Sequence, residues 1–333
     1  MIRPVSAHRR RRTGWTTLAN LVATVILAAG CGTDTVEAVG DSGGTPLVVV
    51  TTGIWADVVT NVACGGEIAV ETVIPLGGDP HGFEPSLADR GLLEKAALVV
   101  ANGLLLEEGL KDTLDAVASR GVPVFEVGAH IDTIEYTAGE HSDGDQPRSE
   151  DDDHGRDGAD PHVWLDPVRV SAVLPELGDQ LANHANLDRE AIARCVSSYQ
   201  ARLKDLDADI ADMVAKIPPG RRRLVTSHDA LGYFADRYRF DIVGTVIPAP
   251  SGLAETNPAQ LEALAEVIEQ TGVPAIFAET QHSDDDVRAL ADRVGEVEVV
   301  ALFTGSLGEA GTGADSYLGL VRTNATLITE ALG

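Results

Sequence analysis

The sequence predicts an α/β fold made of two lobes, each built on a parallel sheet, joined by a single long helix. Three observations predict it. Short apolar runs alternate with segments of helical period twice along the chain, the pattern of βα units and parallel sheets. Between the two series lies a helical pattern of about 30 residues with no internal Gly or Pro, roughly 45 Å long at helical rise. The length of 333 residues suits two lobes, and a 44% hydrophobic content with only 4% aromatics calls for cores of Val, Leu, Ile and Ala.

Taken in order, residues 1–30 stand outside the fold. "HRRRRTGW" is a basic leader, "WTTLANLVATVILAA" is an apolar stretch short for a membrane span, and "LAAGC" brings small residues up to Cys31. This is the pattern of a lipoprotein signal peptide cleaved before Cys31, with lipid on its thiol. Ala28 stands where leucine is usual, three positions before the cysteine. Residues 31–46 are small, polar and Gly-rich, a flexible tether. The N-terminal α/β lobe is expected over 47–187. Its strands are "PLVVVTT", "IAVETVIP", "ALVVANG" and "VPVFEVG". Helices are expected at "GIWADVVTNVAC", "EPSLADRGLLEKA" and "LEEGLKDTLDAVAS", and again from Pro167. Within this lobe, nine of the 22 residues of 139–160 are acidic and no apolar period survives, so an acidic mobile loop is expected there. The linker helix covers 188–217. The C-terminal α/β lobe, 218–333, repeats the alternation from "RLVTS" to the final helix at "SYLGLVRTNATLITEAL", with a helix expected at "HDALGYFADRY". Asn257-Pro258 marks another helix start, with Pro at the first helical position.

Charge narrows the partners. The chain has 25 basic and 52 acidic residues; cleavage before Cys31 removes five arginines and no acid, leaving a net charge of −32. Such a chain repels nucleic acid and anionic lipid, and it concentrates cations. Beyond Cys31 only Cys64 and Cys195 remain. An exported pair of cysteines is compatible with one disulfide, although spacing alone does not bring them together. The absence of any Cys-x-x-Cys excludes a thiolate zinc knuckle.

Three histidines share a context. His81 in "DPHGFEP", His162 in "DPHVWLDP" and His228 in "TSHDALGYF" each lie past a strand or loop and near a helix start. Ligands of open α/β sheets bind outside the carboxyl ends of the strands, so His81 and His162 from the first lobe and His228 from the second can face one cleft. The Asp-Pro pairs before His81 and His162 restrict how each imidazole enters. Asp315, in a Gly-rich loop before the last helix, is the carboxylate expected to complete the set. Asp166 and Glu279 are candidates to accept the second ring N–H of a ligand histidine, and Trp164 and Phe83 to shield the site from water. His282 has no comparable ligand context.

The segments "DPHGFEPS", "DPHVWLDP", "TSHDALGYFADRY", "FAETQHS" and "GADSYLGLVRTN" together resemble the zinc- and manganese-binding receptors of bacterial ABC importers, and the resemblance runs in order through the whole chain after Cys31. It implies two α/β lobes spanned by a rigid helix, with a metal site in the interlobe cleft on His81, His162, His228 and Asp315. It also implies no enzymatic activity. The expected role is capture of a divalent metal outside the cytoplasmic membrane, by a lipid-anchored monomer, for delivery to an ABC permease. Three imidazoles and one carboxylate suit tetrahedral Zn²⁺, whereas Mn²⁺ prefers more oxygen donors. The alternatives are a Mn²⁺ receptor of the same family and a secreted zinc hydrolase. Against the hydrolase, the chain has no His-Glu-x-x-His, and Ser227, His228 and Asp229 are consecutive and cannot form a triad. The family's loop before His162 is often His-rich; here it holds only His141 and His154.

Overall fold

The computed structural model describes residues 44–135, 158–247, 257–295 and 297–333. Residues 1–30, where a signal peptide is expected, Cys31, most of the expected tether, and His141 and His154 lie outside the described residues. The first sheet contains β1 (Leu47–Val50), β2 (Ala69–Thr72), β3 (Leu98–Ala101) and β4 (Val124–Glu126) in the order β2-β1-β3-β4, all parallel. The second contains β5 (Arg223–Thr226), β6 (Asp241–Thr245), β7 (Ala275–Glu279) and β8 (Glu298–Leu302) in the corresponding order β6-β5-β7-β8, again parallel. The central strands LVVA and AIFAE are buried throughout, as helices on both faces require. In each sheet the chain crosses one way after the first strand and the other way after the second. A crevice therefore opens at the carboxyl ends of β1 and β3, and likewise of β5 and β7.

Helices begin where the sequence provides caps. Thr52 caps α1 (Gly53–Ala63), and Ser86 and Asp89 form a capping box on α2 (Leu87–Leu93). The third helix, α3 (Lys111–Ser119), follows a short 3₁₀ turn. Asp166 caps α4 (Pro167–His184), with Pro167 at its first position. Asp188 caps α5 (Arg189–Val214), whose 26 residues span about 39 Å. Its buried residues Ile192, Val196, Tyr199, Leu203, Leu206, Ile210 and Val214 recur every three or four positions, so one stripe faces inward along the whole length. That stripe packs on α1 and α4 of the first lobe and on the C-terminal helix of the second.

The remaining helices are α6 (Gly232–Tyr238), α7 (Pro258–Thr271), α8 (Asp285–Val294) and α9 (Tyr317–Leu332). The sixth is shorter than the pattern suggested: it starts at Gly232, and residues 228–231 form a bend that frees His228 from a helical wheel. One continuous apolar cluster draws on both sheets and on α1, α4, α5 and α9, while two smaller clusters fill the outer faces. A disulfide joins Cys64, at the end of α1, to Cys195 in α5, with Cα atoms 5.9 Å apart.

Candidate metal centre

Each lobe delivers its histidines at the carboxyl edge of its sheet. His81 lies in the loop after β2, His162 in the segment leading into α4, and His228 directly after β5. All three are buried. The two Asp-Pro-His segments share one local device. Asp79 Oδ1 accepts the His81 N–H at 3.0 Å, and Asp160 Oδ1 accepts the His162 N–H at 2.9 Å. In each case the short carboxylate folds back on the backbone two residues on, an Asx turn with the proline fixing its centre. The imidazoles then converge. His162 Nε2 is 3.2 Å from His81 Nε2 and 3.2 Å from His228 Nε2, and the three ligand atoms all lie within 4.8 Å of one another. Nitrogen ligands about 2.05 Å from a tetrahedral ion stand roughly 3.3 Å apart, so the spacing fits a single small cation.

The far ring nitrogens are held by carboxylates. His162 Nδ1 is 2.8 Å from Asp160 Oδ1, and His228 Nδ1 is 2.7 Å from Glu279 Oε2, at the end of β7. A proton kept on Nδ1 leaves Nε2 as a lone pair aimed at the centre. Burial lowers His81 to about 3, with the neighbouring imidazoles adding to the effect. Burial likewise holds His162 well below its ordinary value, and it pushes Asp160 up to about 8, so that pair holds one proton between them. Burial pulls His228 down too, but the Glu279 carboxylate outweighs it and the net shift is upward. For Glu279 burial works upward, and the facing His228 reverses it to a net lowering. Burial thus favours the neutral forms of His81 and His162, whereas Glu279 favours the protonated form of His228, with which a cation competes.

Not every expected residue is here. Asp315 is exposed, its carboxylate accepts the Gly311 N–H at 3.0 Å, and it lies beside Asp57 rather than among the imidazoles. It closes the Gly-rich turn; the cap of α9 is Ser316. Asp166 caps α4 and pairs with Arg169 at 2.7 Å, taking no part at an imidazole. Phe83 packs on the outer cluster of the first sheet, whereas Trp164 does stand edge-on to His162, with ring centres 5.4 Å apart. Asp160 was the residue missed: the acidic composition of 139–160 placed it in a mobile loop, yet it is buried and its N–H bonds Ile134 O at 2.8 Å. Its signal was the Asp-Pro-His spacing that it shares with Asp79.

A deeper network anchors His162. Asn102 Nδ2 donates to Pro161 O at 2.9 Å, and Asn102 Oδ1 accepts from Trp55 Nε1 at 2.9 Å. Beneath it the buried Glu107 accepts from Thr51 Oγ1 at 2.5 Å and from the Asn102 N–H at 2.9 Å. The lobes are tied around the site: Trp164 Nε1 donates to Thr304 O at 2.8 Å, Tyr317 Oη to Trp164 O at 2.7 Å, and the Gly77 N–H to Ser306 Oγ at 2.8 Å.

Residues 48–331 match the family model described as zinc-uptake complex component A, periplasmic. The chain belongs to this family. It is 30% identical over 316 residues to the zinc-binding protein TroA of Treponema pallidum, covering 92% of this chain and 96% of the relative. It is 28% identical over 307 residues to the manganese-binding lipoprotein MntA of Halalkalibacterium halodurans, covering 92% and 95%. The solved structure of TroA superposes with a TM-score of 0.74 at 30% identity, over 87% of this chain and all of that one. The chain is therefore a metal-binding substrate receptor of an ABC importer and not an enzyme.

Proposed function

We propose that this receptor is selective for Zn²⁺, which it binds through His81, His162 and His228 and delivers to the permease of a zinc importer. The observation that carries this reading is the donor set: three imidazole Nε2 atoms converge, and the nearest carboxylates, Asp160 and Glu279, are engaged on the opposite ring nitrogens. Nitrogen ligands at tetrahedral spacing favour Zn²⁺, whereas Mn²⁺ calls for more oxygen and higher coordination. Lipid on Cys31 would hold the receptor, as a monomer, at the outer face of the cell membrane. Metal analysis of the protein as isolated, followed by competition between Zn²⁺ and Mn²⁺, tests selectivity. Zinc is expected to win, and His228→Ala is expected to weaken zinc binding more than 100-fold, beyond what loss of an outer partner costs. Preferential retention of manganese would reject the reading.

A further inference from the structure

On the far side of His228 from the three Nε2 atoms lies a cavity of about 30 Å³, lined by Ser227, His228, Glu279, His282 and Ser283 among others. That is room for an ion with one or two waters. Its polar lining is unusual. Ser227 Oγ and His282 Nε2 are buried atoms without a hydrogen-bond partner. Glu279 Oε2 faces His228 Nδ1 at 2.7 Å, and the other Glu279 oxygen is taken by Thr304. His282 Nε2 stands 3.5 Å from Glu279 Oε2 and 3.9 Å from Asp79 Oδ1, so it faces a carboxylate from each lobe. Its side chain is 23% exposed and that of Glu279 only 3%, a gradient from the solvent edge inward. Buried polar atoms left unpaired are costly, and a shared cavity explains how both can coexist: one guest satisfies them together.

We infer that Ser227, Glu279 and His282, with Asp79 opposite, form a transit site that receives a partly hydrated divalent cation at the solvent edge and passes it to the three imidazoles. This rests on the receptor reading above. One hydroxyl, one imidazole and two carboxylates suit a cation that still keeps waters, and they bind it less tightly than a dry three-imidazole centre. The two carboxylates also focus the field of an acidic chain on the mouth of the site.

Stopped-flow uptake of Zn²⁺ by the full chain, and its release to a chelator, test the inference in wild type, His282→Gln and His282→Glu. A transit site speeds both directions, so His282→Gln is expected to slow uptake and release together by about tenfold. The equilibrium affinity should stay within threefold, and His282→Glu, which restores a metal-binding donor, should recover the rates. Three results would overturn it: unchanged rates in His282→Gln, which leave the cavity to water alone; faster release with unchanged uptake, which makes His282 a ligand of the tight site; or no recovery in His282→Glu, which makes its role one of packing. If wild type fails to bind zinc tightly, the receptor reading fails first, and that result is separable because it needs no variant.

Discussion

Carboxylates behind the ligands set the character of this site at the level of single residues. Asp160→Asn and Glu279→Gln each leave the three Nε2 atoms in place but remove the charge that fixes a ring, and each is expected to cost about 10- to 100-fold in zinc affinity by competition titration. Asp315→Ala is expected to leave affinity within twofold, since its carboxylate serves the Gly311 turn. The pH dependence follows from His228. Its pKa is raised in the metal-free chain, so the protonated form persists above the ordinary histidine range and competes with the cation. Affinity therefore falls as pH drops through that raised value and levels off above it. Because His81 and His162 are lowered, fewer than three protons should leave per zinc near neutrality, as calorimetry in buffers of different ionisation enthalpy would show. The converging histidines were legible because Asp-Pro-His and a strand-end histidine are local patterns. Asp160 was not, because an acidic tract gives no sign of which carboxylate turns inward; that depends on Ile134 and Tyr233, the latter donating to Asp160 O at 2.8 Å.

Elements translate these placements into stability. Removing residues 139–157 should leave zinc affinity unchanged, whereas a deletion carried through Asp160 should lose it; paired titrations of the two deletions locate the inner boundary of the acidic segment. Asn102→Ala breaks the link from β3 to Pro161 and leaves Trp55 Nε1 buried without an acceptor, which is expected to cost about 1–3 kcal/mol in denaturant unfolding. Replacing both Cys64 and Cys195 by Ser opens a closure of 131 residues between α1 and α5 and is expected to cost about 2–5 kcal/mol. Strands and capped helices could be read from alternation, Asn257-Pro258 and the long stripe of α5. The start of α6 could not, because the apolar and polar spacing of "HDALGYFADRY" runs on without a capping residue to mark the helix start at Gly232.

Across the whole molecule, the two lobes share one apolar cluster and several cross-cleft hydrogen bonds, so the spanning helix is not a free hinge. Arg169 adds to this by bonding Asp166 in its own lobe at 2.7 Å and Asp236 of α6 at 3.0 Å. Loading and release are therefore expected to change the radius of gyration by no more than about 1 Å in solution scattering, a local adjustment and not a clamshell. The two-lobe plan was visible in the order of strands and helices; the tightness of its closure was not, since it rests on backbone acceptors such as Thr304 O and Trp164 O, which no side-chain pattern announces.

The Cys64–Cys195 bridge also bears on the cargo. Thiolates are softer donors for zinc than imidazoles, and a reduced chain would present two of them on its first and fifth helices. Oxidation silences that rival pair before any ion arrives, so a receptor prepared in a reducing cytosol would be prone to miscounted stoichiometry and decoy capture.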